Sequence, residues 1–421
     1  MGATGLSAHE TGSSGFSDLS SESQHRPGSE NLLGKGSVRH LTADRARTRV
    51  DYDLHGIVGV RLLNPSPGDV AAVDGQLGPI RRPLGRPPEI VIHFADQLPD
   101  PPLRYLGVED AGFSRDGFFV LSGKGKSRVR VRIPFDQIGG HCHIHCEKGL
   151  PAVPLLVPIL NLTALAKGVL PLHASAFDYQ GVGVLATGWA KGGKTETLLA
   201  FAANGANYVG DEWVYINDEG RMYGIPEPIR IWDWHLQNLP QFRSCIGRRD
   251  RVRLWTLRRL VGLVEGALRQ SSGRSWAWHG LARRLRALLK DQQWINIAPR
   301  DLFGPNSKDG ATFERLLFVA SHREPRVTVR PADPRKVARR MVFSLQEERM
   351  RFMSYYRKFR FAFPEASNEF IEGVEELERS ALRRLLTGKE TYSVYHPYPV
   401  PMQALFHALH PLWGQAPGQP G

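Results

Sequence analysis

The chain has 421 residues, of which 41% are hydrophobic and 23% are charged, and its formal net charge is +13. This composition is typical of a globular protein, and the length leaves room for two or three domains. Three cysteines in so long a chain argue against a disulfide framework and favour a reducing cytoplasm as the location.

The first third of the chain divides into a polar tail and a β-rich segment. Residues 1–47 are rich in Ser, Gly, His and Arg and have no apolar periodicity, so they predict a disordered tail. Residues 48–148 contain short apolar runs between Pro and Gly clusters, which predict a small β-rich N-terminal domain. Within it, DGFFVLSGKGKSRVRVRIPF predicts a hairpin with Gly123–Gly125 in the turn.

The motif HCHIHC at residues 141–146 invites a metal-binding interpretation. In a strand, side chains alternate between faces, so His141, His143 and His145 share one face. Cys142 and Cys146 then lie on the other face, which separates the ligands of a tetrahedral Cys/His site. A site made of histidines alone stays open as the alternative.

From residue 149 to about 415, strands and helices alternate, which predicts an α/β core. The apolar run at 150–166 is interrupted by prolines and predicts a buried helix rather than a membrane span. Strands are predicted at LPLHASAFDY, GVLATG and ANYVGDEWVYI, with a helix at TETLLAFAAN before the last of these. Later strands are predicted at ERLLFVASH, RVTVRPA and ETYSVYHPYP, and later helices at DPRKVARRMVFSL, GVEELERSALRRLLTG and VPMQALFHALHPLW.

The segment Gly188–Thr195, GWAKGGKT, fits the phosphate-loop pattern G-x-x-x-x-G-K-[ST] at every fixed position. Its glycines let backbone amides converge on phosphate oxygens, and the following helix directs its amide end at the anion. Lys194 is expected to reach the β- and γ-phosphates of ATP, and the Thr195 hydroxyl to bind Mg²⁺. The alternative is a tight structural turn between a strand and a helix.

Two adjacent acids, Asp211 and Glu212, follow the loop in the next predicted strand. One could bind Mg²⁺ while the other faces the acceptor, or both could be solvated at the end of the strand. Burying carboxylates among apolar neighbours costs several kcal/mol unless a cation or hydrogen-bond donors lie nearby, which favours a functional role. Upstream, His173 lies in an apolar strand, where a lone histidine is typically a hydrogen-bonded core residue.

The stretch LHASAFDYQGVGVLATGWAKGGKTETLLAFAANGANYVGDEWVYI resembles the catalytic core of HPr kinase/phosphorylase and its relatives, P-loop kinases with the phosphoenolpyruvate carboxykinase-type fold. It shares with them a histidine in the strand before the loop, the loop itself and an acidic pair in the next strand. The matching positions are His173, Gly188, Gly193, Lys194, Thr195, Glu196, Asp211 and Glu212. The close match covers roughly 45 of the 421 residues.

The resemblance implies an Mg²⁺- and ATP-dependent kinase in which Asp211 is the general base on an acceptor hydroxyl. Glu212 matches the metal-binding acid and would act together with Thr195, while His173 matches a polar residue of the same site. With Lys194, Asp211 and His173 form the predicted catalytic group. The predicted nucleotide-binding residues are Gly188, Trp189, Ala190, Lys191, Gly192, Gly193, Lys194, Thr195 and Glu196.

The chain also departs from the family pattern. Glu212 stands where the family usually has Asp, and Lys191 stands where the family's loop has its middle glycine. The segment that docks the family's carrier-protein substrate has no counterpart, so the acceptor could be a protein, a peptide or a small molecule. The competing hypothesis is a nucleotide-gated binding or regulatory protein that binds ATP without transferring a phosphoryl group.

Residues 243–291 form a basic insert in the predicted core. They contain 12 Arg and one Lys against three acids, a net charge of +10. Leucine and valine spacing predicts two amphipathic helices around a Ser/Gly turn. Three interpretations stay open: a solvated face of a structural hairpin, a docking surface for the acceptor, and a surface for nucleic acid or an anionic membrane. The insert's tryptophans keep the last interpretation open; they are Trp255, Trp276 and Trp278.

Overall fold

A computed structural model describes residues 48–99, 102–104, 111–120, 130–270 and 276–414. Three sequence-based predictions lie outside the described residues: the disordered tail at 1–47, the Gly123–Gly125 turn and the Ser/Gly turn of the insert. The described residues belong to one compact unit.

The first sheet has seven strands in the order β1-β2-β3-β7-β6-β5-β4. The three neighbours β2, β3 and β7 are parallel, and the other pairs are antiparallel, including the predicted β5–β6 hairpin. The strands are β1 Arg49–Leu54, β2 Val58–Leu63, β3 Ile90–Ala95, β4 Ala111–Ser114, β5 Gly117–Val120, β6 Val131–Ile133 and β7 Cys142–Glu147.

A helix that the sequence did not predict, α1 Pro67–Leu77, packs against this sheet. Ser66 and Asp69 form a reciprocal capping box, in which the Ser66 Oγ accepts the Asp69 N–H and an Asp69 carboxylate oxygen accepts the Ser66 N–H. The helix buries Val73 and Leu77. Prolines and glycines occur in and around this segment, and no helix is predicted there from the sequence.

The second sheet carries the glycine-rich segment Gly188–Thr195, which follows β9. Five of its strands pair in a ring, β8-β11-β12-β15-β9 and back to β8, while β17 and β16 extend it beyond β15. The strands are β8 Leu170–Tyr179, β9 Val182–Thr187, β10 Asn207–Gly210, β11 Trp213–Ile216, β12 Arg221–Gly224, β15 Ala311–His322, β16 Thr328–Pro331 and β17 Glu390–Pro397. A separate ribbon pairs β13 Ile229–Trp232 with β14 Trp294–Ile297, and the basic insert connects these two strands.

The segment ANYVGDEWVYI is two strands, so the prediction of one continuous strand was wrong. Strand β10 pairs with β8 as far as Gly210, and β11 pairs with β8 again from Trp213 onward. Between them, Glu212 adopts a left-handed backbone conformation with φ 62°. This conformation breaks the extended backbone and with it the alternation of side chains.

The helices are α2 Leu156–Ala166, α3 Lys194–Ala202, α4 Asp233–Asn238, α5 Arg248–Gln270, α6 Trp276–Asp291, α7 Pro299–Phe303, α8 Pro334–Ala362, α9 Glu369–Leu386 and α10 Met402–Leu409. The buried helix predicted at 150–166 and the two helices of the insert are confirmed. The helix predicted from residue 333 continues to Ala362. The chain is therefore a mixed α/β protein, as predicted.

Two hydrophobic cores hold these layers together. The first joins the first sheet to α2, α8 and α9 and includes Leu172 of β8. It therefore extends across the domain boundary predicted near residue 148. The second core surrounds α3 and α10 and includes residues of the ribbon. In the described part of the chain, no helix is both long enough and apolar enough to cross a bilayer.

Candidate functional site

The loop between β9 and α3 contains two glycines that no other residue could replace without a clash. At Gly188, φ is 155° and an added Cβ would lie 2.2 Å from the Val319 carbonyl oxygen. At Gly193, φ is 103° and an added Cβ would lie 2.1 Å from Nε2 of His396. The loop backbone therefore lies directly against β15 and β17, which fixes its shape before any ligand binds.

Lys191 lies within the same loop and has a left-handed backbone conformation, with φ 60°. A glycine adopts this conformation freely, whereas a residue with a side chain is disfavoured there by roughly 1–2 kcal/mol. The loop thus keeps a glycine-type backbone at the position where the sequence departs from the family pattern. Its side chain adds a positive charge at the mouth of the site.

Lys194 is the first residue of α3 and is 6% exposed. Its Nζ donates a hydrogen bond to the Trp189 carbonyl oxygen at 3.1 Å. Burial lowers the pKa of Lys194, and the nearby charges of Glu212 and Asp211 oppose this effect. A buried ammonium group whose acceptor is a neutral carbonyl is poised to bind an anion.

Asp211 is 3% exposed and lies between β8 and the loop. Its carboxylate accepts hydrogen bonds from the Ser175 hydroxyl and, at 3.0 Å, from the Thr195 hydroxyl. Burial and the negative charge of Glu212 raise the pKa of Asp211 to about 7. The group therefore exchanges its proton near neutral pH, as a general base should.

Glu212 turns toward His173 because its left-handed backbone breaks the strand. His173 Nε2 lies 2.9 Å from Glu212 Oε2, and Nδ1 contacts the carboxylate of Glu348 from α8. Burial disfavours a charged imidazole, but these two hydrogen bonds outweigh it and raise the pKa of His173 to about 9. The hydrogen bond from His173 lowers the pKa of Glu212. His173 is therefore held as an imidazolium between the side chains of Glu212 and Glu348.

Glu196, in the first turn of α3, is held by a histidine from α4. The Trp232 backbone N–H donates to Nδ1 of His235 at 3.3 Å, so the ring proton lies on Nε2. Nε2 then donates to Glu196 Oε1 at 3.3 Å. Burial raises the pKa of Glu196, but the hydrogen bond from His235, together with the nearby charges and a backbone hydrogen bond, outweighs burial and the net pKa is lowered.

These groups surround one cavity of about 670 Å³, which is within the usual size range for small-ligand sites. It brings together all but two of the residues predicted for the site. The exceptions are Gly188 and Trp189, which do not line the cavity; Trp189 is exposed. The lining residues are Gly75, His173, Ala190, Lys191, Gly192, Gly193, Lys194, Thr195, Glu196, Asp211, Glu212, Trp213, Glu227, Pro228, Arg230, Trp232, His235, Asn296 and Tyr398.

Several residues of the site were not predicted from the sequence. Glu348 and His235 come from segments far along the chain, and no local motif marks either of them. Glu227 also lines the cavity, and its Oε1 has no hydrogen-bond partner among the described residues. Burial and the charges of Glu212 and Asp211 raise the pKa of Glu227 to about 8.

Elsewhere, the HCHIHC motif shows the predicted alternation, with both cysteines buried in β7. On the opposite face, His143 Nδ1 lies 3.0 Å from His93 Nε2, and the His145 ring stacks on His93. In the described residues, no group of three or more His, Cys, Asp or Glu side chains is arranged to hold a metal ion.

A scan against protein-family models gives no match for this chain. A search of curated proteins likewise gives no significant match.

Proposed function

We propose that the protein is a cytoplasmic, Mg²⁺- and ATP-dependent phosphotransferase of the HPr kinase-like type, acting on a hydroxyl acceptor. One observation carries this proposal. A glycine-rich loop, a buried lysine and a buried aspartate with a pKa near 7 line the same cavity, and the aspartate is hydrogen-bonded to Thr195. This combination suits transfer of a phosphoryl group, which depends mainly on positioning and charge neutralisation.

The donor side of the cavity is formed by the loop and the start of α3. The backbone amides at this helix terminus and the ammonium group of Lys194 would bind the phosphates of ATP. Lys191 adds a second positive charge beside the loop. Glu196 and His235 hold the first turn of α3 against α4, so the amides keep their direction.

The oxygen donors present fit Mg²⁺, which prefers hard ligands and is typically held by one or two carboxylates together with phosphate oxygens. Thr195 and Glu212 are the proposed protein ligands, and Asp211 lies in contact with Thr195. When bound, Mg²⁺ supplies charge neutralisation on the phosphates. His173 keeps the Glu212 carboxylate ionised, and Glu348 holds His173 from the other side.

Asp211 is the proposed general base, which takes the proton from the acceptor hydroxyl. A base with a pKa near the working pH combines a large deprotonated fraction with sufficient basicity. A base buried beside an open cavity favours phosphoryl transfer over the alternative of a nucleotide-gated binding protein. We further propose that the acceptor is recognised by Arg230 and Trp232 of the ribbon, which also line the cavity.

The nucleotide part of the proposal is tested by calorimetry on Lys194→Ala. We expect ATP binding to be lost or greatly weakened, because the phosphates lose their buried cation. Lys148→Ala is the matched control, since it removes a surface lysine paired with Asp96. Equal ATP affinity in both variants and the parent protein would exclude the phosphate-binding role.

The transfer part is tested by incubating the protein with γ-labelled ATP and a cell lysate. The label should appear on a macromolecule or metabolite with the parent protein and not with Asp211→Asn. ATP binding without labelling of any acceptor in the lysate would favour the nucleotide-gated binding protein instead.

A further inference from the structure

The two helices of the basic insert expose large apolar side chains to solvent. On α6, Leu281, Leu285 and Leu288 are spaced three and four residues apart, so they form one stripe on one face. Between 46 and 62% of each leucine is exposed. The leucine spacing in this helix predicted an amphipathic helix, and in the structure this apolar stripe lies in solvent.

The exposed stripe is not the face that holds the hairpin together. Ala282, which lies beside the stripe, is buried. Lys290 at the end of α6 pairs with Glu265 of α5 at 2.8 Å. The stripe therefore does not pack α6 on α5. Its three leucines form an exposed apolar patch, a feature that commonly marks an interaction surface.

The neighbouring helix α5 also exposes large apolar side chains beside arginines. Val252, Trp255 and Leu263 are each more than half exposed, and the Arg259 guanidinium lies 5.2 Å from the Trp255 ring centre. Exposed arginines flank the apolar residues on both helices; they are Arg248, Arg249, Arg251, Arg259, Arg283 and Arg284. Residues 243–291 thus carry exposed leucines, an exposed tryptophan and a net charge of +10.

We propose that the α5–α6 hairpin docks on an anionic lipid surface. Helices that lie in the membrane interface combine a basic polar face with leucine and tryptophan on the apolar face. Arginines bind lipid phosphates, while the leucines enter the boundary of the acyl chains. The charge argues against a second copy of this chain as the occupant, because two such hairpins repel each other.

Two other anionic partners account for fewer of the observations. Nucleic acid would use the arginines and Trp255, but exposed leucines have no role on a phosphate backbone. An acidic helix from a partner protein usually requires a groove, whereas each of these helices presents a ridge of apolar side chains. A lipid surface uses both the charge and the aliphatic stripe.

The hairpin is tied to the wall of the candidate site. Arg258 of α5 binds both carboxylate oxygens of Asp233, with Nε 3.0 Å from Oδ2. Asp233 directly follows Trp232, which lines the cavity. Docking would therefore hold the cavity at a fixed distance from the bilayer. The docking inference does not rest on the proposed phosphotransferase function, and its test uses no nucleotide.

The test is co-sedimentation of the full chain with vesicles. We expect binding to phosphatidylcholine vesicles that contain about 30% phosphatidylglycerol, and no binding to pure phosphatidylcholine. Replacing the stripe by Leu281→Ser, Leu285→Ser and Leu288→Ser keeps every charge and should weaken binding roughly tenfold or more. Leu377→Ser is the matched control, because Leu377 of α9 is also 46% exposed and lies outside the insert.

A second variant, Arg283→Gln with Arg284→Gln, removes two positive charges and keeps the leucines. It should also weaken binding to the anionic vesicles. Thermal melting of each variant shows whether it is folded. If the leucine variant is folded and binds as the parent does, the stripe does not enter the membrane and the proposal fails. The proposal also fails if anionic vesicles are not bound, and capture of an acidic peptide or of RNA instead would identify the other class of partner.

Discussion

Replacing Asp211 by asparagine should make the ligand-free protein more stable and should remove the proposed phosphoryl-transfer activity. Asp211 is 3% exposed, and its pKa rises from 3.8 to about 7 because of burial and the charge of Glu212. The folded state therefore retains a proton that the unfolded state releases between about pH 4 and pH 7. Across this window, stability falls as pH rises.

The size of this effect follows from the two pKa values. Raising a pKa from 3.8 to about 7 corresponds to roughly 4 kcal/mol of destabilisation above pH 7. At pH 5 the raised pKa destabilises the fold by only about 2 kcal/mol, because the carboxyl of the folded protein is still protonated. Asparagine has a similar shape and carries no charge at either pH. The Asp211→Asn substitution should therefore raise the free energy of unfolding by about 2 kcal/mol more at pH 8 than at pH 5.

The measurement is urea unfolding of the parent protein and of Asp211→Asn at pH 5 and pH 8, without nucleotide or Mg²⁺. Asp96→Asn, at an exposed carboxylate, is the control and should change stability little at either pH. In the same preparations, ATP should still bind, and phosphoryl transfer should fall about 10²- to 10⁴-fold. A variant that is less stable than the parent at pH 8, or equally active, would refute the reasoning.

Three further predictions follow from the geometry. Gly193→Ala should abolish ATP binding in calorimetry, because its Cβ would lie 2.1 Å from His396 Nε2 and displace the loop; ATP affinity equal to that of the parent would contradict this. Glu212→Gln should raise the Mg²⁺ concentration needed for half-maximal turnover, and an unchanged Mg²⁺ titration would remove Glu212 from the metal site. Arg349→Met should cost about 3–5 kcal/mol in urea unfolding, because it leaves the buried Glu378 carboxylate unpaired, and adding Glu378→Met should restore most of that stability.

Local patterns in the sequence were sufficient to predict most elements and the centre of the site. The phosphate-loop motif and the adjacent acids identified Lys194, Thr195, Asp211 and Glu212, and the cavity brings these residues together. Such features depend on short stretches of chain, where apolar periodicity and glycine placement carry the information. The same holds for the strands on both sides of the loop.

What the sequence did not predict depends on contacts between distant segments or on a single backbone angle. Glu348 reaches His173 across 175 positions in the chain, and nothing beside it indicates that contact. The positive φ of Glu212 breaks the predicted strand after Gly210 and Asp211, residue types that are depleted in strands, but the apolar residues on both sides favoured continued extension. Helix α1 was missed because its capping box, Ser66 and Asp69, lies among prolines and glycines.

The geometry of the β13–β14 ribbon allows the insert between its two strands to vary in length. Trp232 and Trp294 are directly paired across β13 and β14, so the chain between them begins and ends at the same rung of the ribbon. The first part of that chain, with His235 and Leu236, belongs to the cavity and the second core, whereas the exposed part of the α5–α6 hairpin can vary in length without moving the strands that line the cavity. Engineered chains could therefore exchange the exposed hairpin as a module and bring the same cavity to a different surface.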